Sequence, residues 1–440
     1  MAQVSLQPSA RPRPSVAKKT AYAANQIAVN MLWQAFNAVA VYDYVAYHGV
    51  SAVRLSTGLI VYGVLNALFN LVAGHVSDRT KTRFGRRIPY VAVASIPYAV
   101  CFALLFSPPR LTQAGLVVYF LAMTFLFDLA FTFAALNANA LYPEMYADPR
   151  DRAYVSALQQ VFGIVGLIAG VALSKSLGQS LGWSRMAWIF AAVAIASMYV
   201  SLWGSFETGD PVEPFRWREA LWETFRNRAF IWYVVASFLV QFTTTLFTTA
   251  SSFYTSYVVR LSPLQNSLFL GGIFVVAMPV AFVWARAAIR YGASRSAMVA
   301  IALYACIEAL LLVDRSPASV LATGLLLGVP VAGFMVLLNM LLAEVIDLDA
   351  RRTGRRREGM YLGVNGCIVR LGLSLQYAVM AIFFAISGYR AGASVEPPSA
   401  VEGFRLLLGL VPALFLAGAF LCMRVYDRMR SLSSGGVERS

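Results

Sequence analysis

Histidine, lysine and cysteine are nearly missing from this chain of 440 residues, which holds two His, four Lys and four Cys. The two histidines, His48 and His75, stand apart from any cluster of Cys, Asp or Glu at ligand spacing, so no metal site is expected. Cys101, Cys306, Cys367 and Cys422 each lie alone in an apolar run and read as small core residues without disulfides. A glycine-rich phosphate loop is absent, and the longest polar stretch, 206–229, is too short for a catalytic domain. These absences argue against an ATP-driven pump and against an enzyme, and neither a catalytic residue nor a cofactor is expected. Charge is scarce as well, at 13% of residues, against 59% hydrophobic residues and a mean hydropathy of +0.65. A chain this apolar has the bilayer as its solvent.

The apolar runs are about 20 residues long, the length of a spanning helix, and lack the short alternating segments of a barrel. Twelve spans are predicted, at 22–47, 55–75, 88–107, 113–141, 154–177, 186–205, 230–259, 265–288, 296–313, 318–345, 359–388 and 403–425. Between the second and third, Gly74 to Arg87 carries Asp78 and five cations, Arg79, Lys81, Arg83, Arg86 and Arg87. Lys and Arg are retained on the cytoplasmic side of a membrane, and 27 of the 36 here fall on the side of this loop. Both termini are therefore expected in the cytoplasm, and the net charge of +15 reflects topology rather than nucleic-acid binding. The domain reading is a disordered cytoplasmic tail at 1–21 with no cleavable signal, six-helix bundles at 22–205 and 230–425, a linker at 206–229 and a tail at 426–440.

The halves repeat. The fourth span ends in Glu144, followed by Asp148, Asp151 and Arg152; the tenth ends in Glu344, followed by Asp347, Asp349, Arg351 and Arg352, with eight residues from Glu to the last Arg both times. Internal repeats of this kind mark secondary transporters, whose solute site lies near the midplane between the halves.

Three segments carry a resemblance: the loop from Gly74 to Arg87; Glu144, Asp148 and Arg152 running into Phe162-Gly163 and Gly166; and Asp347-Leu348-Asp349 through Thr353 to Gly359, with Gly388-Tyr389 beyond. Together they resemble the glycoside–pentoside–hexuronide:cation symporters, a branch of the major facilitator superfamily, over most of the chain from about residue 20 to 425. The resemblance implies twelve helices in two pseudo-symmetric bundles that rock about a central site, and solute uptake driven by sodium or protons. In melibiose-type members two second-helix aspartates hold the cation, and those positions are Asn66 and Asn70 here. The first-helix aspartate that contacts sugar falls on Asn30, the fourth-helix aspartate on Ala135, the fifth-helix arginine near Gln159 and the eleventh-helix lysine on Arg370. Asparagine keeps hydrogen-bonding atoms but no carboxylate charge, so these departures point away from sodium coupling.

Polar residues stand out at the same places without the family. In the first span Gln26, Asn30, Gln34 and Asn37 share one face; the second offers Asn66 and Asn70, the fourth Thr124, Asp128, Thr132 and Asn139, and the eleventh Gly366, Arg370, Ser374 and Tyr377. Such faces point into the bundle, either as a solute site or as helix-to-helix glue contributing roughly 0.6 kcal/mol per bond. Asp128 is a carboxylate deep in a span, readable as a proton carrier or as a static partner; Arg370 suits a carboxylate or phosphate, on Asp128 or on the solute. Asp43 and Glu308 read as gate or surface residues near outer helix ends. Trp33, Tyr42 and Trp232 could stack on sugar rings, but core or interfacial places are favoured for each.

The function expected is proton-coupled import of a glycoside, oligosaccharide or uronide by alternating access. Substrate binding is assigned to Asn30, Gln34, Asn37, Asn66, Asn70, Asn139, Gln159 and Arg370, the proton to Asp128, and gating to Asp78, Arg79, Arg83, Glu144, Arg152 and Glu344. Alternatives are a lysolipid or amphiphile transporter of the same fold, with Arg370 on the phosphate, and a membrane assembly factor or sensor without flux. The partners expected are a sugar-like solute, protons and the lipid bilayer around a monomer. The excess of Arg over Lys hints at a GC-rich bacterial gene and hence the inner membrane.

Overall fold

The structure is a computed structural model that describes residues 14–63, 66, 85, 87–146, 148–207, 227–353, 358–390 and 397–435, which are helices and short connections. Ten of the described helices are long and apolar enough to cross a membrane. In chain order, α1 runs as Val16–Ala23, Asn25–Tyr42 and a π-helical turn, Asp43–Tyr47; α2 covers 52–63. Then come α3 (Ile88–Leu105), α4 (Gln113–Met145), α5 (Pro149–Ile168, a π turn Ala169–Leu173, then Ser174–Leu181) and α6 (Trp183–Gly204). The remainder is α7 (Arg228–Phe253 with a π turn Tyr254–Val258), α8 (Pro263–Tyr291), α9 (Ala293–Ala309), α10 (Pro317–Thr353), α11 (Glu358–Ile386) and α12 (Pro398–Gly409 and Val411–Gly435).

The boundaries follow local chemistry. Thr112, Asp148 and Asn227 each accept a backbone N–H at a helix start, and Ser262 forms a reciprocal capping box with Gln265. α12 breaks at Leu410, where Pro412 has no N–H to continue the ladder and instead sits in the first turn of the second segment. Several boundaries depart from the sequence reading: α1 begins at Val16, inside the stretch read as a tail, α5 runs from Pro149 to Leu181, α10 continues to Thr353, and α12 runs from Pro398 to Gly435, well into the stretch read as the second tail. Ser15 caps the start of α1 and Gly182 (φ 96°) ends α5, signals that a hydropathy window does not register. Cys306, expected in the core, is exposed. Large apolar side chains such as Phe282, Ile289 and Ile386 also face outward, as lipid-facing side chains do.

Helices α3, α4, α6, α1 and α5 pack among themselves, as do α7, α9, α12, α8, α10 and α11; α1 against α7 and α5 against α8 join the two groups. The repeat is written into side-chain bonds. Tyr44 Oη donates to Leu105 O (2.7 Å) and Tyr254 Oη to Leu311 O (2.9 Å), each just after a π turn begins. Tyr22 Oη donates to Ala138 O (2.7 Å), and Tyr233 Oη to Leu338 O (3.0 Å). The π turns of α1 and α7 each also lead to one residue in the left-handed region, Gly49 (φ 64°) and Arg260 (φ 56°).

Gly49 has room for a methyl group, its nearest neighbour being Gln113 Nε2 at 3.9 Å from a Cβ, so Gly49→Ala isolates backbone strain. We expect a cost of about 1–2 kcal/mol, read as a lower thermal midpoint in detergent. An unchanged midpoint would show that the turn after α1 relaxes freely.

Candidate functional site

The first-span stripe is brought to the centre by glycines on α5. A Cβ at Gly166 would come within 2.5 Å of Ile27 O, and one at Gly170 within 2.4 Å of Met31 O, so only glycine lets α1 lie this close. The contact sets Gln26, Asn30 and Gln34 beside Gln159, Gly163 and Leu167. Asn30 Nδ2 donates to Gln26 O (3.0 Å) and Gln26 Nε2 donates to Asn139 Oδ1 (3.0 Å), tying α1 to α4.

Two cavities of about 410 Å³ each open along this face. The first is lined by Gln26, Asn30, Asn139, Gln159 and Gln160; the second by Gln34 from one half and by Gln241, Thr244, Thr245, Thr248, Asn339 and Asn365 from the other. Leu167 and Met335 border both, so they form one path between the halves. Among the described residues, every polar side chain on both linings is uncharged. The α7 threonines and Asn339 and Asn365 escape the sequence reading.

At one end, which we call the far end, the path meets a seal made across the halves. Thr249 Oγ1 donates to Asn37 O (2.8 Å), Ser252 Oγ to Ala38 O (2.6 Å) and Ser267 Oγ to Ala172 O (2.7 Å), while Tyr42 Oη and Ser256 Oγ share a bond of 2.7 Å. Lys175 sits in the middle, 2% exposed, with Nζ donating to Ser252 O (2.5 Å) and Thr255 Oγ1 (2.7 Å) and lying 4.8 Å from the centre of the Tyr42 ring. The π turn at Ala169–Leu173 inserts an extra residue and so rotates the next turn of α5 by roughly 100°, which points Lys175 and Ser176 toward α7 and α8. Hydropathy alone ends this span at 177 and makes Lys175 one of the outer helix-end cations.

The opposite, basic end is held within each half. Lys19 pairs with Asp151 (2.6 Å), the backbone N–H groups of Arg87 and Ile88 donate to Glu207 Oε1 (both 2.7 Å), and Arg430 pairs with Glu344 (2.7 Å). Arg152 Nε donates to Tyr146 O (3.1 Å). Asn70, Asp78, Arg79 and Arg83 lie outside the described residues, as do the side chains of Glu144 and Arg370.

Asp128 lies away from both cavities, fully buried where α2, α3, α4 and α11 meet. Asn66 Nδ2 donates to its Oδ2 (2.5 Å) and to Tyr62 Oη (3.2 Å), and Tyr98 and Tyr377 lie within its electrostatic reach. Asn37 lies in the far-end seal rather than on the path, its Nδ2 donating to Trp33 O (2.9 Å). Asp43 and Glu308 differ from expectation in being fully buried rather than at the surface; the His48 ring, 3.8 Å from Asp43, is pushed below its ordinary pKa by burial. Trp33 stacks on Phe131 at 4.9 Å, and Tyr42 packs edge-on to Phe253, so both serve packing.

Residues 21–428 match the family described as MFS/sugar transport protein. The chain belongs to that family. This is the transporter family that the three sequence segments resemble, not an enzyme family. YagG of Escherichia coli (strain K12) is 24% identical over 93% of this chain and 91% of its own. The isoprimeverose transporter of Lactiplantibacillus pentosus is 22% identical over 88% of this chain and 84% of its own. In fold, the transporter is similar to a single-site mutant of the nucleoside transporter NupG, with a TM-score of 0.69 and 12% identity over 93% of this chain and 99% of the other. It is thus a multi-pass membrane protein with the major facilitator fold.

Proposed function

We propose that this transporter imports a glycoside, oligosaccharide or uronide by alternating access, coupled to protons rather than sodium. The observation that carries the reading is the continuous path between the halves, lined by amides and hydroxyls and sealed at the far end. Sugar hydroxyls need such partners, because a buried hydroxyl left unpaired costs roughly 1–3 kcal/mol. The family and a relative named as an isoprimeverose transporter support the same cargo class.

The basic loops assign the basic end to the cytoplasm of a bacterial inner membrane. The structure then corresponds to an inward-facing state, with Lys175 and its neighbours as the periplasmic gate. Asn30, Gln34, Asn139 and Gln159 bind the solute, and Asn37 joins the gate. The proton belongs to Asp128: asparagine at 66 offers an amide donor where sodium would need another carboxylate, and a buried acid between four helices can report on their rearrangement. Arg370, two helical turns before Tyr377 along α11, is assigned to the solute or to Asp128 on the sequence reading alone.

Uptake into proteoliposomes of a panel of labelled glycosides, under an imposed proton or sodium gradient, tests this. Proton-driven uptake is expected; uptake that only sodium drives would contradict the reading of Asn66 and Asn70. An amphiphile carrier predicts instead that lysolipid moves and no glycoside does.

A further inference from the structure

The hydroxyls of the α7 wall have their protons already committed. Thr244 Oγ1 donates to Gln241 O (2.9 Å), Thr245 Oγ1 to Gln241 O and Phe242 O (both 2.9 Å), and Thr248 Oγ1 to Thr244 O (2.9 Å). A backbone carbonyl can only accept, so in each of these bonds the hydroxyl is the donor and its proton points to its own helix. Toward the cavity the three threonines therefore present lone pairs alone. Across the cavity, the side-chain oxygen of Asn365 is buried without a hydrogen-bond partner, one further acceptor.

We infer that this wall is a hydroxyl-recognition site for an uncharged polyol, in which Thr244, Thr245 and Thr248 accept hydrogen bonds from the solute and disfavour a carboxylate at the same place. The inference rests on the sugar reading above and narrows it from glycosides and uronides together to neutral glycosides. A sugar hydroxyl brings a proton to each threonine lone pair, whereas a carboxylate brings only more lone pairs to the threonines and has the neighbouring amide N–H groups alone to replace its lost water. Phe247, Phe274 and Tyr304 on the same lining supply apolar faces for the C–H side of a sugar ring.

The test is competition in solute counterflow between a neutral methyl glycoside and the methyl uronide of the same ring, identical except for oxidation at the exocyclic carbon. The uronide is expected to compete about tenfold more weakly. Thr245→Val with Thr248→Val is expected to raise KM about tenfold at nearly constant kcat, while Thr245→Ser with Thr248→Ser, which keeps both oxygens, retains the wild-type KM. Uronide competing as well as the neutral sugar would overturn the inference, leave the sugar reading standing and bring Arg370 into the site. An unchanged KM in the valine variant would also overturn it. Should the valine variant fail to fold, the competition in wild type decides alone. Counterflow of neither sugar would overturn both the inference and the sugar reading.

Discussion

Lys175→Met is expected to open the far end of the molecule. The ammonium closes three helices at once, bonding the end of α7 from α5 while lying on the Tyr42 ring of α1. Charge-assisted bonds are worth about 1.5–3 kcal/mol each, and the cost of burying the cation offsets part of that. A net change of about 2 kcal/mol shifts the balance between closed and open far ends about thirtyfold. Methionine preserves the length and apolar stem of the side chain, so packing against Tyr42 is kept and the donor alone is removed. Spin labels at Arg110→Cys and Leu264→Cys, in different halves at the far end, give the distance that reads this out. A longer, newly dominant distance in Lys175→Met is the expected result; a distribution unchanged from wild type would show that the flanking serine and threonine bonds hold the seal without it.

The second large effect belongs to Asp128→Asn. One proton per solute and a pH difference of one unit can sustain at most about tenfold accumulation, since one pH unit is worth 1.36 kcal/mol. The asparagine variant is expected to fall to equilibration without accumulation. It should keep downhill exchange, because Asp128 lies away from both cavities and an amide oxygen can still accept from Asn66. Full accumulation in the variant would move the proton elsewhere. Loss of exchange together with accumulation would make Asp128 a structural partner of α2 and α11.

The central amides are legible in the sequence because they repeat along one helix face. Gln26, Asn30 and Gln34 stand at helical spacing in an otherwise apolar run, and amides facing lipid would lack partners. The threonines of α7 are not legible in the same way. Thr243, Thr244, Thr245, Thr248 and Thr249 follow one another around the helix, so no single face is marked, and each can satisfy its own proton on the preceding turn. Only the packing shows which of them reach the cavity and which, like Thr249, reach the seal.

Lys175 is hidden for another reason. The predicted span at 154–177 already holds Ser174, Lys175 and Ser176, but a cation so near its end reads as an outer helix-end charge, whereas the helix continues to Leu181 and packs against the other half. The π turn before them sets the direction they face, and no spacing rule for a regular helix anticipates it. Asp43 and Glu308 mislead through their nearness to helix ends, whereas the neighbouring helices cover both.

Solute counterflow tests the central claim most directly, because it asks whether sugar crosses through an alternating site without asking which ion is coupled. Proteoliposomes loaded with an unlabelled neutral glycoside and diluted into a trace of the same sugar, labelled, should show a transient overshoot of label inside. Absence of any overshoot across a panel of glycosides, in protein whose thermal melt confirms the fold, would contradict sugar transport as the function of this chain.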